Sequence, residues 1–283
     1  MNVTSYVDAA QFLADIQMEL ESNEAANSLM LGLCARLIEH PERLKATPYL
    51  RAVADAQGLV LAALMTPPHN LLVYHHHGDL DESARALVGS LLRSAWQVPG
   101  VFGPTRAAEA VADAWTETTG RPARRASRQR AYELRKLAVL PPERGRLRPA
   151  TKQDFDLAAA WTYAFHHEIF GQTDREQPRQ ATQVRIEAGD IFLWEVDGRA
   201  VSMAMRNRPT RHGVTVSLVY TPPELRGRGY ATACSGELSR LLLASGWDFC
   251  ALFADLANPT ANGIYQRIGY RPVCDYVEIL FEA

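Results

Sequence analysis

One stretch of the sequence combines the residue types that bind phosphate groups. Residues 216–231 read VSLVYTPPELRGRGYA and residues 232–245 carry apolar side chains at helical spacing, which predicts a strand, a loop and a helix. The first backbone N–H groups of a helix attract anions, glycines let a ligand approach the backbone, and arginines add positive charge. We therefore expect this loop to bind a pyrophosphate or a similar group. Its glycines and arginines are Gly227, Gly229, Arg226 and Arg228.

The spacing of this loop separates it from other glycine-rich nucleotide sites. No G-x-x-x-x-G-K-[ST] occurs, and Thr232 stands where a dinucleotide fingerprint needs its third glycine. The loop instead resembles the [QR]-x-x-G-x-[GA] acyl-CoA loop of the GNAT family of N-acetyltransferases, with Arg226, Gly229 and Ala231 at the defining positions. Residues 258–270 read NPTANGIYQRIGY, which is similar to the N-x-x-A-x-x-[LI]-Y-x-x-[LI]-G-[FY] element of the same family.

The resemblance implies a role for several residues in acyl transfer from a thioester to an amine. Such a transfer needs a polarised carbonyl, a proton for the departing thiolate and a deprotonated amine. The resemblance gives the first task to the backbone N–H of Val219 and the second to Tyr265, whose phenol is protonated at neutral pH. Tyr265 could instead only pack, and Asn258 and Asn262 could cap their helix. The residues implied to hold acetyl-CoA are Val219, Tyr220, Thr221, Arg226, Gly227, Arg228, Gly229, Tyr230, Ala231, Asn258 and Asn262.

The general base has no fixed motif in this sequence. Glu195 and Asp255 are candidates, with a solvated surface acid as the alternative for each. His166, His167 and Glu168 lie on the helix that borders the acceptor pocket in the resembling family. They could touch the acceptor or form a solvated helix face.

Histidines and cysteines give no sign of a metal site. Residues 75–77 are three consecutive histidines, and neighbours on a strand point to opposite sides and cannot converge on one ion. The four cysteines show no C-x-x-C spacing, which suits a reducing compartment. The longest apolar run, residues 59–65, is far shorter than the ~20 residues of a membrane helix, and no secretory signal is present. We expect a cytoplasmic protein without metal and without a membrane partner.

The length of 283 residues is comfortable for two domains, and the apolar content of 47% is that of a globular protein. The order helix, hairpin, strand, helix, strand, helix, strand occurs twice, with hairpin turns at 55–58 and 197–198. This predicts an α/β fold (α+β, mixed sheet) of two tandem GNAT-like domains, each a mostly antiparallel twisted sheet flanked by helices. The predicted domains are 1–140, a degenerate copy, and 147–283, the catalytic domain that binds acyl-CoA. Prolines 141, 142 and 149 mark the boundary.

The first half lacks the phosphate-type loop, because its counterpart reads HHHGDLDES and contains three acids. Residues 121–148 carry ten Lys or Arg against two Glu, and a solvated basic connection is favoured there over a nucleic-acid surface. The first half ends with a predicted strand over 131–140.

The resemblance implies an N-acetyltransferase that transfers an acetyl group from acetyl-CoA to a primary amine of a small molecule or peptide by direct attack. A mycothiol-synthase-like acetyltransferase and a non-catalytic acetyl-CoA-binding sensor or scaffold are the alternatives. The chain could be a monomer or a homodimer.

Overall fold

A computed structural model describes residues 1–43, 46–94, 96–139, 144–171 and 174–282. Within these ranges the chain forms twelve strands and eight α-helices, which confirms the predicted mixed α/β fold. The strands are β1 (Asn2–Tyr6), β2 (Tyr49–Asp55), β3 (Gly58–Met65), β4 (Leu71–His75), β5 (Gly100–Pro104), β6 (Ala123–Leu134), β7 (Arg146–Pro149), β8 (Ile191–Val196), β9 (Arg199–Asn207), β10 (Gly213–Tyr220), β11 (Phe249–Asp255) and β12 (Arg271–Phe281). The helices are α1 (Ala9–Glu21), α2 (Glu24–Glu39), α3 (Leu80–Arg93), α4 (Thr105–Thr119), α5 (Phe155–Phe170), α6 (Glu176–Glu187), α7 (Tyr230–Ala244) and α8 (Pro259–Ile268).

Within the basic segment, residues 123–134 form a strand, so the interpretation of this part as a connection is wrong, although the first four strand residues are exposed to solvent. Strand β6 begins eight residues before the predicted strand and ends at Leu134. Its arginines have acidic partners in the surrounding structure: Arg130 donates a 2.6 Å hydrogen bond to Asp275, and Arg125 is paired with Glu109. The predicted end of this strand at Leu140, and the boundary prolines 141 and 142, lie outside the described residues.

The chain forms two compact units, and the first comprises residues 1–131, 254–258 and 272–282. Its strands follow the order β1-β2-β3-β4-β5-β12-β6. Neighbours from β1 to β4 are antiparallel, β4 and β5 are parallel, and β5 and β12 are antiparallel. Helices α3 and α4 cover this sheet with an apolar core to which Leu61, Leu87 and Val111 contribute.

The last strand of the chain is built into this first unit. Residues 276–280 of β12 pair with residues 100–104 of β5, and the rings of Trp115 and Phe281 stack with centroids 4.5 Å apart. A Cβ at position 100 would collide with the carbonyl oxygen of Ile279, so only glycine permits this approach. The division into domains 1–140 and 147–283 remains a prediction about independent folding, and the compact units do not follow those limits.

The second unit comprises residues 132–253 and 259–271. Its strands follow the order β7-β8-β9-β10-β11, in which β7 to β10 are antiparallel and β10 and β11 are parallel. Helices α5 and α6 pack on one face of the sheet through a cluster that includes Trp161, Ile186 and Met203. A buried hydrogen bond of 3.0 Å between the hydroxyls of Thr182 and Thr162 joins the two helices.

Candidate functional site

The end of β10 departs from regular sheet geometry. Its antiparallel pairing with β9 is regular as far as Ser217 and shifts register before Tyr220, and Leu218 has a φ of 52°. The parallel pairing with β11 covers only residues 213–215 of β10. A bulge of this kind frees backbone groups from the ladder. Val219 lies inside the bulge, so its backbone N–H is outside the regular cross-strand register.

The two residues after the bulge are held firmly. The Ser202 hydroxyl donates a 3.1 Å hydrogen bond to the backbone oxygen of Tyr220 and lies 2.9 Å from the hydroxyl of Thr221. The Tyr220 ring packs 6.2 Å from Trp161, centroid to centroid, and burial raises the pKa of its phenol. The polar backbone at the end of β10 therefore has a fixed position next to α5.

The predicted phosphate-type loop leads into α7 as expected. Gly227 and Gly229 have φ values of 77° and 80°, a region that disfavours other residues. Gly229 precedes the helix, and its carbonyl accepts a 3.0 Å hydrogen bond from the N–H of Ala233, so the N–H groups of residues 230–232 lack partners within the helix. The first turn carries no acid. A side chain built at Gly227 would meet nothing within 4 Å, so the loop is open.

These features fit a pyrophosphate group, since free amides and the positive end of a 15-residue helix face an open glycine-rich loop. Tyr230 and Ala231, the first two residues of α7, are partly exposed and could present their amides to such a group.

The two loop arginines differ in their surroundings. Arg226 donates a 2.9 Å hydrogen bond from Nε to the backbone oxygen of Thr221, and its Nη2 lies 2.9 Å from both carboxylate oxygens of Glu168. Arg228 is exposed, and its guanidinium approaches the backbone oxygen of Glu224 at 3.5 Å. Arg228 is thus the loop cation that is more open to an incoming phosphate.

Two asparagines were predicted to contact the cofactor. The N–H of Asn258 donates a 3.0 Å hydrogen bond to the carbonyl of Asp255, in the turn that precedes α8. The side-chain oxygen of Asn262 accepts a 2.7 Å hydrogen bond from the Tyr132 hydroxyl. Asn262 therefore has a structural partner, while the predicted cofactor role of both residues stays a prediction.

Tyr265 lies within α8 and is 9% exposed. Burial, and after it the neighbouring Cys234 of α7, raises the pKa of its phenol. Within the described part of the chain, no hydrogen bond is formed by its hydroxyl. The residue is therefore a buried phenol beside α7 that stays protonated in the neutral range.

The candidate bases have different environments. Glu195 accepts hydrogen bonds from Arg148 and Arg146, both at 2.7 Å, and these arginines lower its pKa. A carboxylate held ionised by two cations is a poor proton acceptor. Asp255 accepts a 2.8 Å hydrogen bond from the N–H of Ala257 and so shapes the turn before α8.

The residues predicted to border the acceptor lie on α5. Burial lowers the pKa of His166, which keeps its imidazole neutral at physiological pH. The ring of His167 stacks on Tyr163 with centroids 5.8 Å apart, and Glu168 is paired with Arg226. Each of these side chains thus has a place in the local packing.

The counterpart loop in the first unit is closed to anions. The Asp79 side chain accepts a 2.9 Å hydrogen bond from the N–H of Glu82 at the start of α3, and Asp81 and Glu82 lie in its first turn. These acids occupy the positions where a phosphate would need donors.

Among the described residues no group of three or more His, Cys, Asp or Glu is arranged to hold a metal ion.

Three features of the site were not predicted: the bulge at Leu218, the pairing of Glu168 with Arg226, and the bond from Tyr132 to Asn262. For the ion pair, the sequence signal is Glu168 in the last turn of α5, where the helix dipole disfavours negative charge. Such an acid indicates a nearby cation without identifying it.

The fold agrees with comparisons to known proteins. Residues 197–278 match the family model described as FR47-like protein, and these residues include the loop, α7 and α8. A GNAT-family acetyltransferase from Colwellia psychrerythraea is 15% identical over 100% of both chains, with a TM-score of 0.61. A GCN5-related N-acetyltransferase from Sphaerobacter thermophilus is 18% identical over 99% of this chain and 95% of its own, with a TM-score of 0.62.

A solved Drosophila protein is 10% identical over 99% of this chain and 98% of its own, with a TM-score of 0.67. No curated protein matches the sequence. The chain therefore has the fold of the GNAT acetyltransferases, which confirms the predicted resemblance. Over the described ranges, no helix has the length and apolar character required to cross a membrane.

Proposed function

We propose that the protein is an acyl-CoA-dependent N-acetyltransferase that transfers an acetyl group from acetyl-CoA to a primary amine of a small molecule or peptide. The start of α7 carries this proposal, because its free amides follow two glycines at positive φ in the loop that comes after the bulged end of β10. The fold gives additional support, because solved proteins with this fold include acetyltransferases. The fold alone does not determine the chemistry, so the proposal depends on the site. The four cysteines are unpaired, which supports the cytoplasmic location.

The chain would hold acetyl-CoA through three groups of atoms. The backbone of residues 227–232 and the Arg228 guanidinium would bind the pyrophosphate. Tyr220 and Thr221 would flank the pantetheine arm, and the Val219 N–H would polarise the thioester carbonyl. When bound, acetyl-CoA supplies an acetyl group activated as a thioester.

Tyr265 would hold the proton that the departing thiolate needs, and the proton that the attacking amine releases would pass to solvent, from which the phenolate is protonated again. Its raised pKa keeps the proton on Oη throughout the neutral range, and a thiolate accepts a proton from a nearby phenol as it forms. Direct attack by the amine requires no covalent enzyme intermediate. Cys34, Cys234 and Cys250 are also poor nucleophiles, because they are buried and burial raises the pKa of each thiol.

The experiment is release of CoA thiol from acetyl-CoA in the presence of a panel of amines, with the product identified by mass spectrometry. The panel includes primary amines of small molecules, N-terminal amines of peptides and an amine of a sugar-linked cysteine, which tests the mycothiol-synthase-like alternative. An N-acetyltransferase releases thiol only with an acceptor present and forms the N-acetyl product.

Calorimetry on the same sample separates the remaining alternative. A sensor or scaffold would bind CoA with a defined affinity and release no thiol with any amine. A chain that neither binds CoA nor releases thiol would contradict the assignment of the α7 site.

A further inference from the structure

Glu168, Arg226 and Thr221 form a connection between α5 and the loop, here called the clasp. Through Nε and Nη2, Arg226 joins the Thr221 carbonyl to the Glu168 carboxylate with contacts of 2.9 Å. Its guanidinium carbon lies 5.7 Å from the centroid of the Tyr220 ring. One side chain thus contacts the last turn of α5, the end of β10 and the residue that follows it.

Folding stability does not explain the clasp. The side chains of Arg226 and Glu168 are 48% and 42% exposed, and exposed ion pairs contribute little to stability. Glu168 also lies in the last turn of α5, just before the C-cap Gly171, where the helix dipole disfavours an acid. The geometry is specific nevertheless, because the fork of an arginine satisfies a carbonyl and a carboxylate at once.

The clasp connects the two parts of the proposed site. On one side, α5 and α6 are joined by the buried bond between Thr162 and Thr182, so they respond together to a shift of α5. On the other side, the Thr221 backbone leads within five residues to the loop at Arg226 and then to the free amides of α7. A ligand that fixes the loop also fixes the orientation of Arg226.

We propose that Glu168 is a positioning residue, which through Arg226 couples the acceptor-side helix α5 to occupation of the acyl-CoA loop. This inference rests on the proposed function. A pyrophosphate bound at the loop restricts Arg226, and Arg226 then holds the C-terminal turn of α5 against β10. The acceptor side is ordered when the acyl donor is present, and loss of either clasp side chain uncouples the two.

Hydrogen exchange of the full chain with and without CoA tests this coupling through the amides of residues 163–171. In the parent, CoA slows exchange both in these residues and in residues 226–234, and coupling between sites is typically about fivefold or more. Glu168→Ala should keep the protection of residues 226–234 and lose that of residues 163–171. Arg226→Lys should also lose the protection of residues 163–171, because an ammonium cannot reproduce the two-sided fork.

Glu176→Ala is the matched control, since Glu176 is an exposed acid on α6 whose side chain accepts a hydrogen bond from Gln180. It should retain both protections. Equal protection of residues 163–171 in the parent and in both clasp variants would overturn the coupling alone. Absence of CoA protection at residues 226–234 in the parent would overturn the proposed function and the coupling with it.

Discussion

The hydroxyl of Tyr132 donates a 2.7 Å hydrogen bond to the side-chain oxygen of Asn262, and the Tyr132 ring lies 6.4 Å from the ring of Tyr265, centroid to centroid. Tyr132 is fully buried. Tyr132 therefore packs against α8. It contacts both Asn262, which was predicted to bind the cofactor, and Tyr265, which was predicted to donate a proton.

Asn262→Ala should destabilise the fold more than it weakens CoA binding. The buried Tyr132 hydroxyl would lose its short acceptor, and an unsatisfied buried hydroxyl costs about 1–3 kcal/mol. Urea unfolding should show this loss, and Tyr132→Phe combined with Asn262→Ala should recover part of it, since both partners are then removed. A direct cofactor contact is indicated instead if Asn262→Ala weakens CoA binding about tenfold at unchanged stability.

Gly229→Glu should abolish CoA binding, because the new carboxylate would stand beside the free amides of α7. The φ of 80° at Gly229 adds a backbone strain of about 1–3 kcal/mol for any other residue. Gly246→Glu controls for that strain, since Gly246 follows the other end of α7 with a φ of 101°. Calorimetry should find that Gly246→Glu binds CoA and that Gly229→Glu does not. Parent-like affinity in folded Gly229→Glu would refute the assignment of the loop.

CoA should bind with a stoichiometry of one per chain. The counterpart helix α3 begins with Asp79 as its N-cap and has acids in its first turn, so it repels a pyrophosphate. Titration calorimetry of the parent should therefore show one class of site, and Gly229→Glu should remove all of the binding heat. Two equivalent sites per chain would contradict the interpretation of the first half as a degenerate copy.

Much of the second unit could be predicted because its signals are local. The glycines at positive φ, the helical spacing of α7 and the turn at Asp197 and Gly198 each follow from a few neighbouring residues. Apolar residues at helical spacing also predict helices over 8–21, 27–38, 81–95 and 106–118, and α1, α2, α3 and α4 lie within three residues of these bounds at each end.

Other features depend on pairing between distant segments and had no local signal. The pairing of β12 with β5 joins residues more than 150 positions apart, and no periodicity in either strand specifies its partner. The same holds for the bond from Tyr132 to Asn262, which has a separation of 130 residues. Strand β7 has four residues and α6 is mostly polar, so both lack the apolar pattern that would identify them.

Asp154→Asn should lower stability at neutral pH and flatten its dependence on acid. Hydrogen bonding to Arg148 lowers the pKa of Asp154 to about 2. A depressed carboxyl pKa stabilises the fold above the unfolded pKa near about 3.9, and this contribution is lost as pH falls toward 2. Its size is at most about 2 kcal/mol, measured as the difference in unfolding free energy between pH 6 and pH 3.

The matched control for this pair is Asp156→Asn. Asp156 is 86% exposed and pairs with Arg179, so its removal should change stability little. If Asp154→Asn and the parent lose the same stability between pH 6 and pH 3, then the bond to Arg148 does not contribute to acid resistance.

The most direct test of the proposed acetyl transfer is the turnover of Tyr265→Phe relative to the parent, measured as thiol release with the best amine across about pH 6 to 9. The substitution keeps the ring and its packing, and the raised pKa of Tyr265 means that the parent phenol is protonated over this whole range. We predict CoA affinity within a few-fold of the parent and turnover lower by about 10²-fold or more, with a smaller loss at low pH, where solvent protonates the thiolate. Tyr270→Phe, which removes the buried hydroxyl 2.8 Å from Ser239, should leave turnover per folded molecule unchanged. Turnover of Tyr265→Phe within about twofold of the parent at every pH would contradict the account.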